Sequence, residues 1–144
     1  TMPNDGGLSR IQQRLNAIPA NVKAALVPAL TKQAEAIAAT MRTLAPDDPA
    51  TGDPDLKTSI EVTGPGQSTP PYSQPGGMMT VPDNAVAITA GNEDVRYPHL
   101  VEYGTKKAPA QPFFWPAYRL HRTKAKKAIK RAASAAVRKN WGRQ

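Results

Sequence analysis

Residues 97 to 117 read Tyr97-Pro-His-Leu-Val-Glu-Tyr-Gly-Thr-Lys-Lys-Ala-Pro-Ala-Gln-Pro-Phe-Phe-Trp-Pro-Ala117. This stretch holds both phenylalanines, one of the two tryptophans and two of the four tyrosines of the 144-residue chain. Aromatic side chains bury large apolar areas, so we expect the core to be anchored here. Leu100, Val101 and Tyr103 predict a short buried strand that Gly104 ends, and the three prolines that follow exclude regular pairing beyond it.

A long helix is predicted directly after the aromatic residues. Pro116 suits the first turn of a helix, and the sequence from Ala117 to Lys139 is rich in Ala and Lys and free of Gly and Pro. At helical spacing its alanines gather on one face and its basic residues on the other. The basic positions are Arg119, Lys126, Lys127, Lys130, Arg131 and Arg138.

The first third of the chain also has helical periodicity. Residues 8 to 18 predict a short helix that Pro19 interrupts, and residues 20 to 44 predict the main amphipathic helix. We expect Pro28 to kink or restart it. Its apolar positions step by three and four residues: Val22, Leu26, Leu30, Ile37, Met41 and Leu44.

Two further segments predict strands. Leu56 to Thr63 and Ala85 to Ala90 carry apolar and β-branched residues between turn residues, and we expect the second to pair antiparallel with the strand at Leu100 to Tyr103. Residues 47 to 55 predict a solvated loop. The predicted fold class is α+β, with two long helices packed on one face of a small antiparallel sheet.

The chain length fits one domain with a modest core. We expect a disordered tail at residues 1 to 7 and a single domain at residues 8 to 141. Within it, residues 64 to 82 contain five prolines and four glycines, which predicts a long mobile loop.

The net charge of +8 is distributed unevenly. Residues 96 to 144 hold 13 Lys or Arg and one acid, Glu102, whereas residues 1 to 95 hold six basic and ten acidic residues. This asymmetry indicates a nucleic acid, an acidic partner surface, or head-to-tail packing of identical subunits. A solvated helix face is the plainer alternative.

The sequence offers little for catalysis. With no cysteine and two distant histidines, we expect no metal, no cofactor and no enzyme activity. Glu102 and His99 could serve a hydrolase, but we expect Glu102 to pair with Lys106, Lys107 or the helix of a neighbouring subunit. No apolar run has the length of a membrane span and no signal segment is evident, so we expect no membrane association.

Two motifs occur in the order found in a known family. The more specific one is Val101-Glu102-Tyr103-Gly104-Thr105, followed by Pro109-Ala110-Gln111-Pro112-Phe113 and, after Phe114 and Trp115, by Pro116-Ala117. The weaker one is Ala45-Pro46, then Thr51-Gly52, then Leu56-Lys57-Thr58-Ser59-Ile60, of which Thr51, Gly52, Leu56, Ser59 and Ile60 are the positions carried over from the family. Together they resemble the small neck and tail-completion proteins, or head–tail joining proteins, of long-tailed bacteriophages and phage-derived gene transfer agents. The likeness spans roughly residues 20 to 140. Extra residues at Asp53-Pro54-Asp55 and the long segment 64 to 82 depart from it.

The resemblance implies a structural protein of the virion neck that assembles in the host bacterial cytoplasm. Such a protein forms a ring, expected to be a hexamer, between the head-side connector or stopper and the tail tube or tail terminator. The family includes both tail terminators and proteins that complete the connector. In it, the motif residues look like fold and interface determinants.

The basic helix leaves a second reading open. Cations on one face of a helix can bind phosphates without reading bases, which predicts at most non-specific contact with passing DNA. The alternative function is therefore a basic nucleic-acid-binding protein without a virion role.

Overall fold

The computed structural model describes residues 20–46 and 56–141. The predictions for residues 1 to 7, 8 to 18 and 47 to 55, including Thr51 and Gly52, lie outside them. The α+β class is confirmed. The described elements are helix α1 (Ala20–Leu44), a 3-10 helix (Lys57–Ser59), strands β1 (Glu61–Thr63) and β2 (Ala87–Thr89), helix α2 (Pro98–Tyr103) and helix α3 (Phe114–Trp141). None of the described helices combines the length and apolarity needed to cross a membrane.

Helix α1 has the predicted extent but not the predicted interruption. It runs unbroken through Pro28, so of the two expected outcomes the restart is wrong and the kink stays a prediction. Its packing against α3 and against both strands supplies the stability that the missing proline N–H removes. Its apolar stripe is buried mainly in the second half, with Leu44 exposed. The buried residues are Val22, Ala34, Ile37, Ala38 and Met41.

The strands are shorter than predicted, and they pair differently. β1 and β2 form a two-stranded antiparallel sheet in which Val62 lies opposite Ile88. The predicted strand from Leu56 begins instead as a 3-10 turn, because the Ser59 hydroxyl donates to Leu56 O at 2.6 Å and bends the backbone. Because β2 pairs with β1, the predicted pairing of residues 85 to 90 with Leu100 to Tyr103 is wrong.

Residues 100 to 103 belong to helix α2 and not to a strand. Pro98 opens the helix with its fixed φ, and the Gly104 N–H closes it by donating to Leu100 O at 2.8 Å. Leu100 and Tyr103 are exposed on this helix. Four residues with three apolar side chains fit one helical turn as well as a strand, and the proline decides between them.

One hydrophobic core joins the two long helices to the sheet. It combines the second half of α1 with residues beside the strands and with the start of α3, where Phe113 and Ala117 are fully buried. Two polar contacts fasten α1 to its neighbours. Arg42 Nη2 donates to Ile60 O at 2.7 Å, and Thr40 Oγ1 lies 2.6 Å from His121 Nε2 on α3.

Residues 64 to 82, the arm, form an irregular hairpin. Ser68 and Thr80 pair as an isolated bridge, and Val81 exchanges backbone hydrogen bonds with the Gly66 and Gln67 region. Farther along, Gln74 pairs with Ala90 at the end of β2 through two hydrogen bonds of 2.8 and 3.0 Å. The arm contributes buried Thr69, Ser73 and Val81. Its mobility stays a prediction.

Candidate functional site at the start of helix α3

Glu102 caps helix α3 from a different helix. Its Oε1 accepts hydrogen bonds from the backbone N–H groups of Phe113 and Phe114 at 3.1 and 2.8 Å, and Oε2 accepts a longer one of 3.4 Å from Trp115. These N–H groups at a helix start lack intrahelical partners, and the helix dipole favours an anion there. The expected pairing with Lys106 or Lys107 is wrong, because the buried carboxylate is turned inward to this helix end.

The loop between α2 and α3 is shaped by Gly104. Its φ of 79° and ψ of 173° suit glycine almost exclusively. A Cβ at this position would lie 2.7 Å from the Ala110 backbone nitrogen. Beyond it, Gln111 N–H donates to Val101 O at 2.8 Å, so the chain returns beside α2. Glycine therefore allows the close approach that brings α3 to Glu102.

Thr105 closes a compact turn inside this loop. Its N–H donates to Ala108 O at 2.8 Å, while its Oγ1 accepts from the N–H groups of Lys107 and Ala108 at 3.2 and 3.1 Å. The hydrogen bonds of the Thr105 side chain thus hold an exposed segment that forms neither a helix nor a strand. Pro109 and Pro112, which follow the turn, are exposed.

The aromatic residues divide between core and surface. Phe113 is 1% exposed, whereas Phe114 and Trp115 are half-buried. Trp115 Nε1 donates to Tyr103 Oη at 3.0 Å, and its ring meets Phe114 and Tyr118 edge-on at 5.0 and 6.1 Å between centroids. The expectation that this stretch anchors the core is confirmed at Phe113. We expect another of the three rings to lie at an interface with a neighbouring subunit.

A cavity of about 140 Å³ opens beside the cap. It is lined by Gln74, Pro75, Ala90, Pro98, His99, Glu102, Tyr103, Phe113, Phe114 and Trp115. His99 and Glu102 do share this cavity, as a hydrolase would require. Both Glu102 oxygens accept backbone hydrogen bonds from the start of α3 and the residue before it. The arrangement is that of a helix cap.

The described part of the weaker motif is structural as well. Leu56, Ser59 and Ile60 are all buried, and Gly91 N–H donates to Ser59 Oγ at 3.0 Å. Ser59 therefore connects the 3-10 turn to the end of β2. Within residues 20–46 and 56–141, no group of three or more His, Cys, Asp or Glu side chains could hold a metal ion.

Helix α3 presents its cations to solvent. Every basic position named above is exposed: Arg119, Lys126, Lys127, Lys130, Arg131 and Arg138. On the opposite side Ala125 is buried and Ala128, Ala132 and Ala136 are half-buried, whereas Ala135, expected on the same face, is exposed. The helix has no acidic residue to offset this charge.

Sequence reasoning missed two contacts that hold the arm. Arg96 lies over the Tyr72 ring, 3.9 Å from its centroid, and Tyr72 has a φ of 63°. Thr69 Oγ1 accepts from Met79 N–H at 2.8 Å. Hydrophobic periodicity predicts neither contact, because both involve residues of an irregular segment.

Comparisons with family models, with curated proteins and with solved structures returned no match.

Proposed function

We propose that this protein is a structural component of a virion head–tail junction. It forms a ring that completes or terminates the tail and joins it to the head connector. The observation that carries the proposal is the cap of α3. Glu102 and Thr105 of the specific motif make hydrogen bonds within this loop and to the start of α3, and Gly104 leaves room for the close approach of the Ala110 backbone. A motif resembling that of neck proteins thus coincides with the residues on which this fold depends.

The proposal includes the finer architecture and its partners. Two long helices pack on one face of the small sheet, and residues 64 to 82 form a mobile loop that becomes ordered against neighbouring subunits. Copies of the chain, six in the ring, meet a connector or stopper protein on the head side and a tube or terminator protein on the tail side. In this role the chain acts without catalysis or a cofactor, in the virion and in the cytoplasm of the host during assembly.

Deletion of the gene in the phage or gene transfer agent that encodes it tests the proposal. We expect electron micrographs to show filled heads and separate tails, with joined particles restored by the gene supplied in trans. An image reconstruction of intact particles should place the chain at the junction. Normal joined particles from the deletion strain, or particles that lack the protein, would contradict the proposal.

The cationic face of α3 gives a prediction within this role. A ring wall lined by such charges would retain DNA, so we expect them to meet acidic protein surfaces or solvent. Charge reversal by Lys126→Glu with Lys130→Glu should impair joining of heads to tails and leave DNA packaging intact. Counts of filled heads and joined particles by electron microscopy measure the two effects separately. Loss of packaging would contradict the assignment.

A second candidate function rests on the same helix. Nine Lys or Arg and no acid occupy residues 114 to 141, which suits contact with phosphates. If the protein is a nucleic-acid-binding protein without a virion role, purified protein should bind duplex DNA tightly. Each neutralised phosphate then steepens the log–log salt dependence by about 0.9. The same charge reversal should abolish that binding, whereas the neck assignment predicts weak binding.

A further inference from the structure

An apolar groove lies where α1, α3 and β2 meet. Its volume is about 200 Å³, and no described residue fills it. It is lined by Leu30, Gln33, Ala34, Ile37, Val86, Ile88, Tyr118, Arg122, Ala125, Lys126 and Ile129. The floor is aliphatic and aromatic, and the only charged side chains are the cations Arg122 and Lys126. The groove therefore suits an apolar side chain on a segment with acidic neighbours.

The arm carries two exposed apolar side chains. Met78 is 63% exposed and Met79 is 48% exposed. Methionine is flexible and polarizable, so it fills irregular apolar cavities well. None of the residues that line the groove belongs to the arm, which makes the two surfaces separate on one subunit.

Several contacts restrain the arm near these methionines. Buried Thr69 accepts from Met79 N–H at 2.8 Å and also contacts Gly77 O and Met79 O at 3.3 Å. The middle of the arm is held by the Arg96 guanidinium over Tyr72 and by the pairing of Gln74 with Ala90. Because these contacts restrain part of the arm, less of it has to become ordered when it binds.

Charge favours another copy of this chain as the partner. Residues 56 to 96, which include the sheet, the uncharged arm and the arginine that packs on it, hold four acids and the two basic residues Lys57 and Arg96. Glu61, Asp83, Glu93 and Asp94 are all exposed. Helix α3, which carries the groove cations, is basic throughout. The acidic region of one copy thus complements the basic groove of the next, which steers encounter and suppresses other orientations.

We propose that the arm of one copy inserts Met78 and Met79 into the groove between α1 and α3 of a second copy. The arm and the groove are different surfaces, so each subunit keeps one of each free after a first contact. Such a head-to-tail contact generates a ring if its rotation closes. The inference rests on the proposed function only in that copies of the chain meet. The contact itself does not require a virion.

Cysteine cross-linking tests the contact, because the full chain has no cysteine of its own. One preparation carries Met78→Cys and a second carries Ile129→Cys in the groove. The matched control replaces the second with Leu120→Cys, since Leu120 lies on the same helix, is 76% exposed and does not line the groove. Mixtures are oxidised mildly, and mass spectrometry separates mixed from like-with-like disulfides.

We expect the mixed disulfide with Ile129→Cys to form at least about tenfold faster than that with Leu120→Cys, because the contact raises the local thiol concentration. Equal rates, or a predominance of arm-to-arm disulfides, would overturn the inference. The inference would also be overturned if the two rates are equal in the full chain and the rate with Ile129→Cys rises only after residues 1 to 18 are removed. That result would mean that residues 1 to 18 are the occupant of the groove in the full chain.

Solvent-facing substitutions give an independent readout. Met78→Asp with Met79→Asp should abolish self-association in sedimentation velocity at concentrations where the parent chain associates. Met78→Leu with Met79→Leu should retain it. Unchanged melting curves by circular dichroism verify that both variants fold. Association that survives the aspartates would overturn the inference while leaving a ring at the junction possible by another interface. Cross-linking as expected, combined with absence from particles, would reject the proposed function alone.

Discussion

The cap of α3 and the arm both bury polar side chains, and they differ in how those groups are satisfied. In the cap, buried Glu102 accepts three backbone hydrogen bonds. Around the arm, the buried Ser73 and Thr89 hydroxyls have no partner among the described residues. A satisfied buried polar group specifies one chain path, whereas an unsatisfied one only costs desolvation. The cap is therefore the region where substitutions should be felt most.

The largest effect is expected at Phe113, the ring that the cap places in the core. Phe113→Ala removes a side chain that is 1% exposed, so it should lower the free energy of unfolding by about 3–5 kcal/mol. Chemical denaturation followed by circular dichroism measures this loss. Half-buried Phe114 serves as the control, and its alanine variant should lose less. An equal loss at both positions would remove the distinction between core ring and accessible ring.

Glu102→Gln should have the next largest effect. The amide keeps one acceptor oxygen but turns its NH₂ group toward a backbone N–H, and it removes the charge that the helix start favours. We expect a loss of about 1.5–3 kcal/mol, typical of a hydrogen bond to a charged group. The exposed Glu93→Gln change is the matched control. Equal denaturation midpoints for the two variants would show that the cap contributes nothing to stability.

Gly104→Ala tests the loop that carries the chain to the cap. The backbone there is one that only glycine adopts readily, and substitution at such a site costs about 1–3 kcal/mol. A Cβ would also meet the Ala110 backbone. Gly66 has a similar φ of 77° but open space around it, so Gly66→Ala tests a positive φ without the clash. Thermal melting should place Gly104→Ala below Gly66→Ala, and the reverse order would contradict the clash.

The smallest effect is expected at Thr89, the buried last residue of strand β2. Thr89→Val replaces an unpartnered buried hydroxyl by a methyl of similar shape, which should leave stability unchanged or raise it by up to about 1 kcal/mol. Ser59→Ala is the contrasting change, because the Ser59 hydroxyl both donates and accepts. It should be clearly destabilising in the same denaturation experiment. A large loss for Thr89→Val would mean that its hydroxyl has a partner.

The sequence predicts the long helices well and the cap poorly. Helix α1 has apolar residues recurring every three to four positions over 25 residues, and α3 is free of Gly and Pro after its first turn. Such patterns predict the backbone conformation of the segment in which they occur. The role of Glu102 depends on contacts 11 to 13 residues away, across a loop whose path Gly104 sets.

The wrong strand at residues 100 to 103 has the same origin. Leu100, Val101 and Tyr103 were consistent with burial on a sheet, but only Val101 is even half-buried in the fold. The residue that is buried is the charged one, Glu102. Hydrophobic patterning cannot identify a buried acid, because its partners are backbone groups that every residue possesses.

The cap also determines how α3 would respond to mechanical load. At about 1.5 Å per residue, the 28 residues of α3 make a rod of about 42 Å that is anchored to α2 at one end. The three N–H groups bound by Glu102 point roughly along the rod, so a pull on α3 away from α2 stretches all three bonds together. A sideways push on the far end is resisted instead by packing against α1. Glu102 therefore adds to the packing against α1 in resisting such a pull, and Glu102→Gln should lower the force needed to detach the rod.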